Sequence, residues 1–367
     1  MAVYIHRLKN WPHFTWDNAA IAALLGHVRH HQGRLLGRMQ HFGFDLIAEA
    51  TLQTLTLDVI KSSEIEGEIL NNDQVRSSIA RRLGMDIAGL VPADRNVEGV
   101  VEMMLDATQN FKLPLTEERL FAWHAAMFPT GRSGMNKIVV GNWRDNTRDD
   151  PMQVVSGPSG REVVHFQAPD AELLTDEMNA LFNWFNSEKE LDPVLKAAVC
   201  HLWFVTIHPF DDGNGRIGRA ITDLQLARAD ETSQRFYSMS AQIRKERNAY
   251  FDILEKTQKD ELDITDWITW FLNCLNRSIA ATDETLSRVM RKAKFWDQRP
   301  QDLNVRQRTM LNKILDGFEV KLTSSKWAKI CKCSSDTAIR DINDLVQQGK
   351  LVKELGGGRS TSYGLGE

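Results

Sequence analysis

His208-Pro209-Phe210-Asp211-Asp212-Gly213-Asn214-Gly215-Arg216-Ile217-Gly218-Arg219 is the stretch around which the chain is organised. Asp212 supplies a hard oxygen ligand, and Mg²⁺ carried on a nucleotide usually takes only one or two carboxylates. Gly213 and Gly215 suit a tight loop with positive φ and close backbone approach. Consecutive backbone N–H groups in such a loop form a nest for an anion. A helix expected from about Arg216 would aim its N-terminus at the same anion. Arg216 and Arg219, three apart, share one helical face and can fork onto phosphate oxygens. His208, just outside the nest, is the group there that ordinarily titrates near neutrality. Together these residues suit attack by a hydroxyl on a nucleotide phosphate. Taken singly, His208 also reads as a core histidine beside Phe210, and DDGNG as an ordinary turn. The closing glutamate of an EF-hand is absent, as is the GxxxxGK[ST] of a P-loop.

The residues around this stretch set its context. A 367-residue chain with 42% hydrophobic and 26% charged residues has room for two or three globular domains. A net charge of −4 gives no overall pull toward nucleic acid or anionic membrane. No apolar run reaches transmembrane length, and the start, MAVYIHRLKNWPHF, has no signal-peptide h-region. Cys200, Cys274, Cys331 and Cys333 are too few and scattered for a disulfide framework. A cytoplasmic protein is the expectation.

Upstream of the quoted stretch, residues 193–207 open with Pro193 at a helix start and run apolar to Ile207, as a buried rod would. Residues 45–70 carry Leu46, Ile47, Leu52, Leu55, Val59 and Ile60 at helical spacing, with Gly67 as a stop. Ser62 and Glu66 share a face, and Glu66 sits where the helix dipole disfavours an anion. Asp17 and Thr116 read as helix caps. His27, His30, His31 and His41 lack the carboxylate or cysteine that would complete a metal set, and His124 reads as core or groove wall. Gln153–Ser156 and Glu162–Phe166, joined by Gly157-Pro158-Ser159-Gly160, predict a β-hairpin, with His165 a strand residue. In the tail, three helices near 307–315, 323–330 and 334–346 precede a hairpin from Leu351-Val352 through Gly356-Gly357-Gly358-Arg359 to Ser362-Tyr363. That order resembles a winged helix-turn-helix. Residues 301–367 hold 11 Lys/Arg and 8 Asp/Glu, so DNA and protein both remain candidate partners for the tail.

At residues 208–219 the chain resembles the Fic (Fido) family, whose signature is HPFx[D/E]GNGRxxR; His208, Pro209, Phe210, Asp212, Gly213, Asn214, Gly215, Arg216 and Arg219 all match. The resemblance implies a mainly α, Fic-type helical core and a Mg²⁺-dependent protein adenylyltransferase that moves AMP from ATP to a Ser, Thr or Tyr hydroxyl of a protein, itself included. It makes His208 the general base and Asp212 the Mg²⁺ ligand. The amides of Gly213, Asn214 and Gly215, with Arg216, would hold phosphates, and Arg219 the γ-phosphate. Ser62, Glu66 and Gly67 match the inhibitory motif [ST]xxxE[GN], in which the glutamate pairs with the second signature arginine. The hairpin is similar to the family's flap, which registers the target segment and brings Ser156, Gly157, Pro158 and Ser159 to the nucleotide; Trp143-Arg144 also resembles a family feature. Tyr250 and Gln258 fall in the segment lining the adenine pocket, with Gln258 where many relatives have Asn. The domains expected are an N-terminal helical extension (1–40), the core (41–278) with inhibitory helix (45–70) and flap (150–168), a linker helix (279–300) and a winged-helix domain (301–367). A homodimer would offer a way to control the inhibitory helix. The alternatives are AMP removal, another phosphate donor on the same fold, and a DNA-binding regulator acting through the tail.

Overall fold

The computed structural model describes residues 3–40, 42–87, 89–158, 160–297, 303–316, 321–354 and 361–366. Ser159, His41 and the Gly356–Arg359 turn lie outside the described residues. The chain forms two compact units, residues 1–84 with 91–283 and residues 85–90 with 284–367.

The first unit is helical. Its elements are α1 (Asn18–Met39), α2 (Phe44–Ile65), α3 (Asn72–Arg82), α4 (Arg95–Gln109), α5 (Glu117–Met127), two short strand pieces β1 (Arg132–Ser133) and β2 (Asn136–Lys137), the hairpin β3 (Gln153–Ser156) and β4 (Val163–Gln167), then α6 (Leu174–Ser187), α7 (Pro193–Ile207), α8 (Asn214–Asp230), α9 (Met239–Lys245), α10 (Arg247–Gln258) and α11 (Thr265–Ala280). The starts follow local chemistry. Asp17 accepts from the Ala19 and Ala20 amides, Thr116 from Arg119, and Asp192 from Val194 ahead of Pro193. α2 ends at Ile65 rather than near 70, because Gly67 takes φ 85° and turns the chain back.

α7 is the central rod, with every residue from Val194 to Ile207 buried. Trp267 of α11 donates its indole N–H to the Ala198 carbonyl at 2.8 Å, satisfying a polar group inside that core. α8 lies along α7, and Gly218 permits the approach, since a Cβ there would lie 3.0 Å from Val205. α4 and α5 cross still more closely: a Cβ on Gly99 would sit 1.8 Å from the Ala126 carbonyl oxygen. Gly99→Ala therefore forces the two backbones apart, and a loss of about 2 kcal/mol or more is expected in urea unfolding despite alanine's better helix propensity.

β3 and β4 pair antiparallel, with a register shift between Val154 and Val155. An isolated two-stranded hairpin is marginal in water. Here Phe166 is buried against Tyr4 and Ala168, its ring meeting Tyr4 edge-on at 5.2 Å. The N-terminal segment thus anchors the hairpin's base, a role the sequence did not disclose.

The second unit holds most of α12 (Thr282–Asp297), then α13 (Val305–Leu315), α14 (Ser324–Ile330), α15 (Ser335–Gln347) and the antiparallel pair β5 (Leu351–Lys353) and β6 (Tyr363–Leu365). Its core gathers Met310, Leu311, Trp327, Ala338, Ile342, Leu345 and Leu351. Among the described residues no helix is long and apolar enough to cross a membrane.

Candidate active site

α7 delivers His208 at its C-terminus in a left-handed conformation, φ 53° and ψ 57°. A non-glycine residue adopts this at a cost of about 1–2 kcal/mol. Arg144, almost fully buried, offsets that cost. Its Nε donates to the His208 carbonyl at 2.8 Å, its Nη2 to the Pro169 carbonyl at 2.6 Å, and its backbone N–H to the Pro209 carbonyl at 3.0 Å. Burial lowers its pKa to about 10, so it remains a cation at neutral pH. Arg144→Ala strands the His208 and Pro169 carbonyls, and a stability loss of about 2–3 kcal/mol is expected in thermal or urea unfolding, with a displaced His208. Lysine cannot restore the planar fork and should rescue little.

The His208 ring keeps Nδ1 at 3.2 Å from the Val205 carbonyl oxygen. A carbonyl only accepts, so Nδ1 carries the proton and the lone pair is on Nε2. Burial is the main cause of a pKa lowered to about 4, and the Arg144 cation adds to it against the opposing pull of Glu66 and Asp212. At neutral pH the ring is an unprotonated base.

The loop after it is braced from inside. Phe210 is fully buried and stacks on the His124 ring at 4.3 Å. The Asn214 side-chain amide accepts from the Phe210 N–H at 2.9 Å and donates to its carbonyl at 2.7 Å. His124 Nδ1 accepts from the Gly141 amide at 3.2 Å, leaving Nε2–H to donate to the Asp212 carbonyl at 3.2 Å. Burial lowers the His124 pKa to about 4 and keeps this neutral tautomer in place. Asp211 accepts from the Val139 amide at 2.8 Å. Neither Asp211 nor His124 stood out in the sequence as part of the loop's support.

Gly213 has φ 84°, and a Cβ there would meet Met127 and Phe128 at 3.0 Å. α8 begins at Asn214, two residues earlier than the sequence suggested, and no side chain caps it. The amides of its first turn therefore offer an anion site. Gly215 lies inside that turn, not at positive φ as expected. A Cβ there would stand 2.1 Å from Glu66 Oε1, so the missing side chain leaves room for that carboxylate beside the turn.

Both signature arginines, at the start of α8, meet the end of α2. Arg219, 2% exposed, donates from Nε to Ser62 Oγ at 2.9 Å and from Nη2 to the Ser62 carbonyl at 2.8 Å. Glu66 Oε1 lies 2.8 Å from Arg219 Nη2. Arg216 pairs with Glu68 at 2.6 Å and stacks over Phe128 at 5.1 Å. Arg247 of α10 donates to the Ile65 carbonyl at 2.8 Å and so covers an otherwise orphaned helix end. Thus the structure brings Ser62, Glu66, Gly67, His208 and residues 212–219 to one place.

Asp212 is half-buried. Its Oδ1 accepts from the Gly213 amide at 2.6 Å and its Oδ2 from the Ser133 hydroxyl. A single hard carboxylate beside an uncapped helix start fits Mg²⁺ that arrives on a nucleotide rather than a resident ion.

The remaining expected residues lie further out or deeper. Ser156, Gly157 and Pro158 are exposed at the hairpin tip, with Gly157 at φ 100°. Ser156 Oγ is 2.6 Å from His165 Nε2, and His165 Nδ1 is 2.6 Å from Glu255 of α10, which ties the hairpin to that helix. Tyr250 and Gln258 are buried. The Tyr250 hydroxyl bonds His201 at 2.8 Å, and the Gln258 amide donates to the Thr206 hydroxyl at 3.1 Å.

Comparison with known proteins places residues 114–226 in the Fic/DOC family and residues 4–85 in a domain of unknown function, DUF4172. The chain is 27% identical over 232 residues to the Protein adenylyltransferase Fic of Drosophila yakuba, covering 60% of this chain and 40% of that protein. It is 38% identical over 61 residues to a probable protein adenylyltransferase of Aquifex aeolicus, covering 17% of this chain and 19% of that one. It therefore spans less than half the length of either relative. Among solved structures, a Fic family protein from Desulfovibrio desulfuricans superposes with a TM-score of 0.52 at 20% identity, over 96% of this chain and 97% of that one. A Fic domain-containing signalling protein from Bacteroides thetaiotaomicron gives the same TM-score and identity over 71% and 97%. These structures share the fold.

Proposed function

Since the chain is a Fic family protein, we propose that it transfers AMP from Mg·ATP to a Ser, Thr or Tyr hydroxyl of a protein, and that the state described here is restrained by Glu66. The observation that carries this is the neutral His208 beside an uncapped helix start flanked by Arg216 and Arg219. His208 Nε2 takes the proton from the attacking hydroxyl. The hydroxyl oxygen bonds to the α-phosphorus, the bond to the oxygen bridging toward the β-phosphate breaks, and pyrophosphate leaves. Amides at the start of α8 stabilise the phosphate oxygens where charge develops. Mg²⁺, held on the phosphates by Asp212, would neutralise part of their charge. Arg144 holds the base still, and the exposed hairpin would register the target segment by strand addition.

The Glu66 carboxylate occupies the cation that the γ-phosphate would use. ATP bound without that contact is not lined up for in-line attack. The same proposal takes the second unit as a winged-helix module for a nucleic-acid or protein partner. The reaction is tested by incubating the Glu66→Gly protein with Mg·ATP and measuring pyrophosphate together with intact protein mass. A gain of AMP matched by pyrophosphate is expected. Pyrophosphate without a mass gain, or a gain of phosphate alone, would contradict it.

A further inference from the structure

Glu68 holds Arg216, the first of the two signature arginines, yet it belongs to neither the signature nor the inhibitory motif. The chain reaches it by a short route. The Gly67 N–H donates to the Glu64 carbonyl at 3.2 Å, and the Glu68 N–H to the Ser63 carbonyl at 3.0 Å. With Gly67 left-handed, this is a Schellman turn, which folds the residue after the glycine back over the helix end. Two carboxylates two residues apart at the end of α2 thereby face two arginines three apart at the start of α8. Glu66 meets Arg219, and Glu68 meets Arg216.

The Arg216 pair is asymmetric. The Arg216 side chain is 7% exposed and lies over Phe128, while Glu68 is 34% exposed. Arg216 Nε has no hydrogen-bond partner, and Glu68 is the one hydrogen-bonding partner of its guanidinium among the described residues. The arginine is thus fixed in place, and the carboxylate can leave for water. An incoming polyphosphate presents the same charge to the same cation and must displace that carboxylate.

We propose that Glu68 is a second gating residue: it competes with nucleotide phosphate for Arg216 and sets nucleotide affinity, whereas Glu66 sets the pose of what has bound. The inference rests on the reading that a nucleoside triphosphate binds at the start of α8. Removing Glu66 alone leaves one of the two phosphate cations neutralised, so full release needs both carboxylates gone.

The test is calorimetric binding of Mg·ATP, and separately of inorganic triphosphate, to wild type, Glu68→Gln, Glu68→Asp and the Glu66→Gly/Glu68→Gln double variant, with circular dichroism as a check on folding. Glutamine keeps the size and can still accept from Arg216, so it removes charge alone. Glu68→Gln should tighten both ligands on the order of tenfold. Glu68→Asp, which keeps the charge, should stay near wild type. In labelled-ATP assays the double variant should have a lower KM than Glu66→Gly at a similar kcat. A Kd for Glu68→Gln within about twofold of wild type, in a folded protein, overturns the inference. The two readings fail separately. Tighter binding with no AMP transfer by any variant refutes adenylyl transfer and leaves Glu68 as the gate. AMP transfer by Glu66→Gly with no effect of Glu68→Gln on Kd or KM refutes the gate alone.

Discussion

His208→Ala should lower AMP transfer by about 10²–10⁴-fold while leaving Mg·ATP binding nearly intact. The ring's two nitrogens are already assigned: Nδ1–H faces the Val205 carbonyl, and Nε2 is left to accept. The site thus needs no proton rearrangement before the hydroxyl attacks. Alanine removes the acceptor but neither arginine nor the helix start, so the loss should fall on kcat. The pH dependence follows from the depressed pKa. A base whose conjugate acid titrates near 4 is unprotonated from there upward, so lowering the pH from 8 to 6 should not protonate it. The rate should therefore lack the fall centred near pH 6.5 that an unburied histidine would produce. Such a fall, measured on Glu66→Gly protein, would mean that His208 is not held as described.

Glu66→Gly should raise transfer by roughly 10- to 100-fold. The carboxylate sits 2.8 Å from Arg219, whose guanidinium is otherwise held by the Ser62 hydroxyl and carbonyl. Removing Glu66 leaves those two bonds in place, so the cation keeps its position and loses its competitor. Glu66 is the last, partly exposed residue before the left-handed Gly67, where glycine interrupts no helix interior, so the fold should tolerate the change. Labelled-ATP transfer by wild type and variant, at equal protein and Mg²⁺, measures the ratio. A ratio near unity would refute restraint by Glu66. The Glu68–Arg216 pair predicts that, at ATP concentrations below its KM, the single variant falls short of the fully released rate.

The helical fold was legible because its strongest periodic segments are long and their caps are local. Asp17, Thr116, Thr323 and Ser334 each mark a helix start by accepting from an amide within a few residues, and Pro193 marks one by its fixed φ at the first helical position. The signature loop was legible for the same reason, as its chemistry lies in twelve consecutive positions. What escaped was non-local. The Arg144 clamp on the His208 carbonyl spans 64 residues, and the Glu68–Arg216 contact spans 148. No periodicity encodes such pairings. Gly215 misled because glycine suits both left-handed turns and tight packing, and only the Glu66 carboxylate beside it decides between them. Glu68 did leave a trace: a glycine just past a helix end turns the next residue back toward the body, so the residue after Gly67 was a candidate for contact. Tyr250 and Gln258 show the reverse limit, since helix spacing does not tell a buried polar side chain from one lining a cleft.

The most direct measurement places the label on the α-phosphate of ATP in one reaction and on the γ-phosphate in another, with the Glu66→Gly protein and the Glu66→Gly/His208→Ala protein side by side. Protein labelled from the α position only, and only where His208 is present, is the expected result. Label from the γ position, or α-label undiminished without His208, would contradict it.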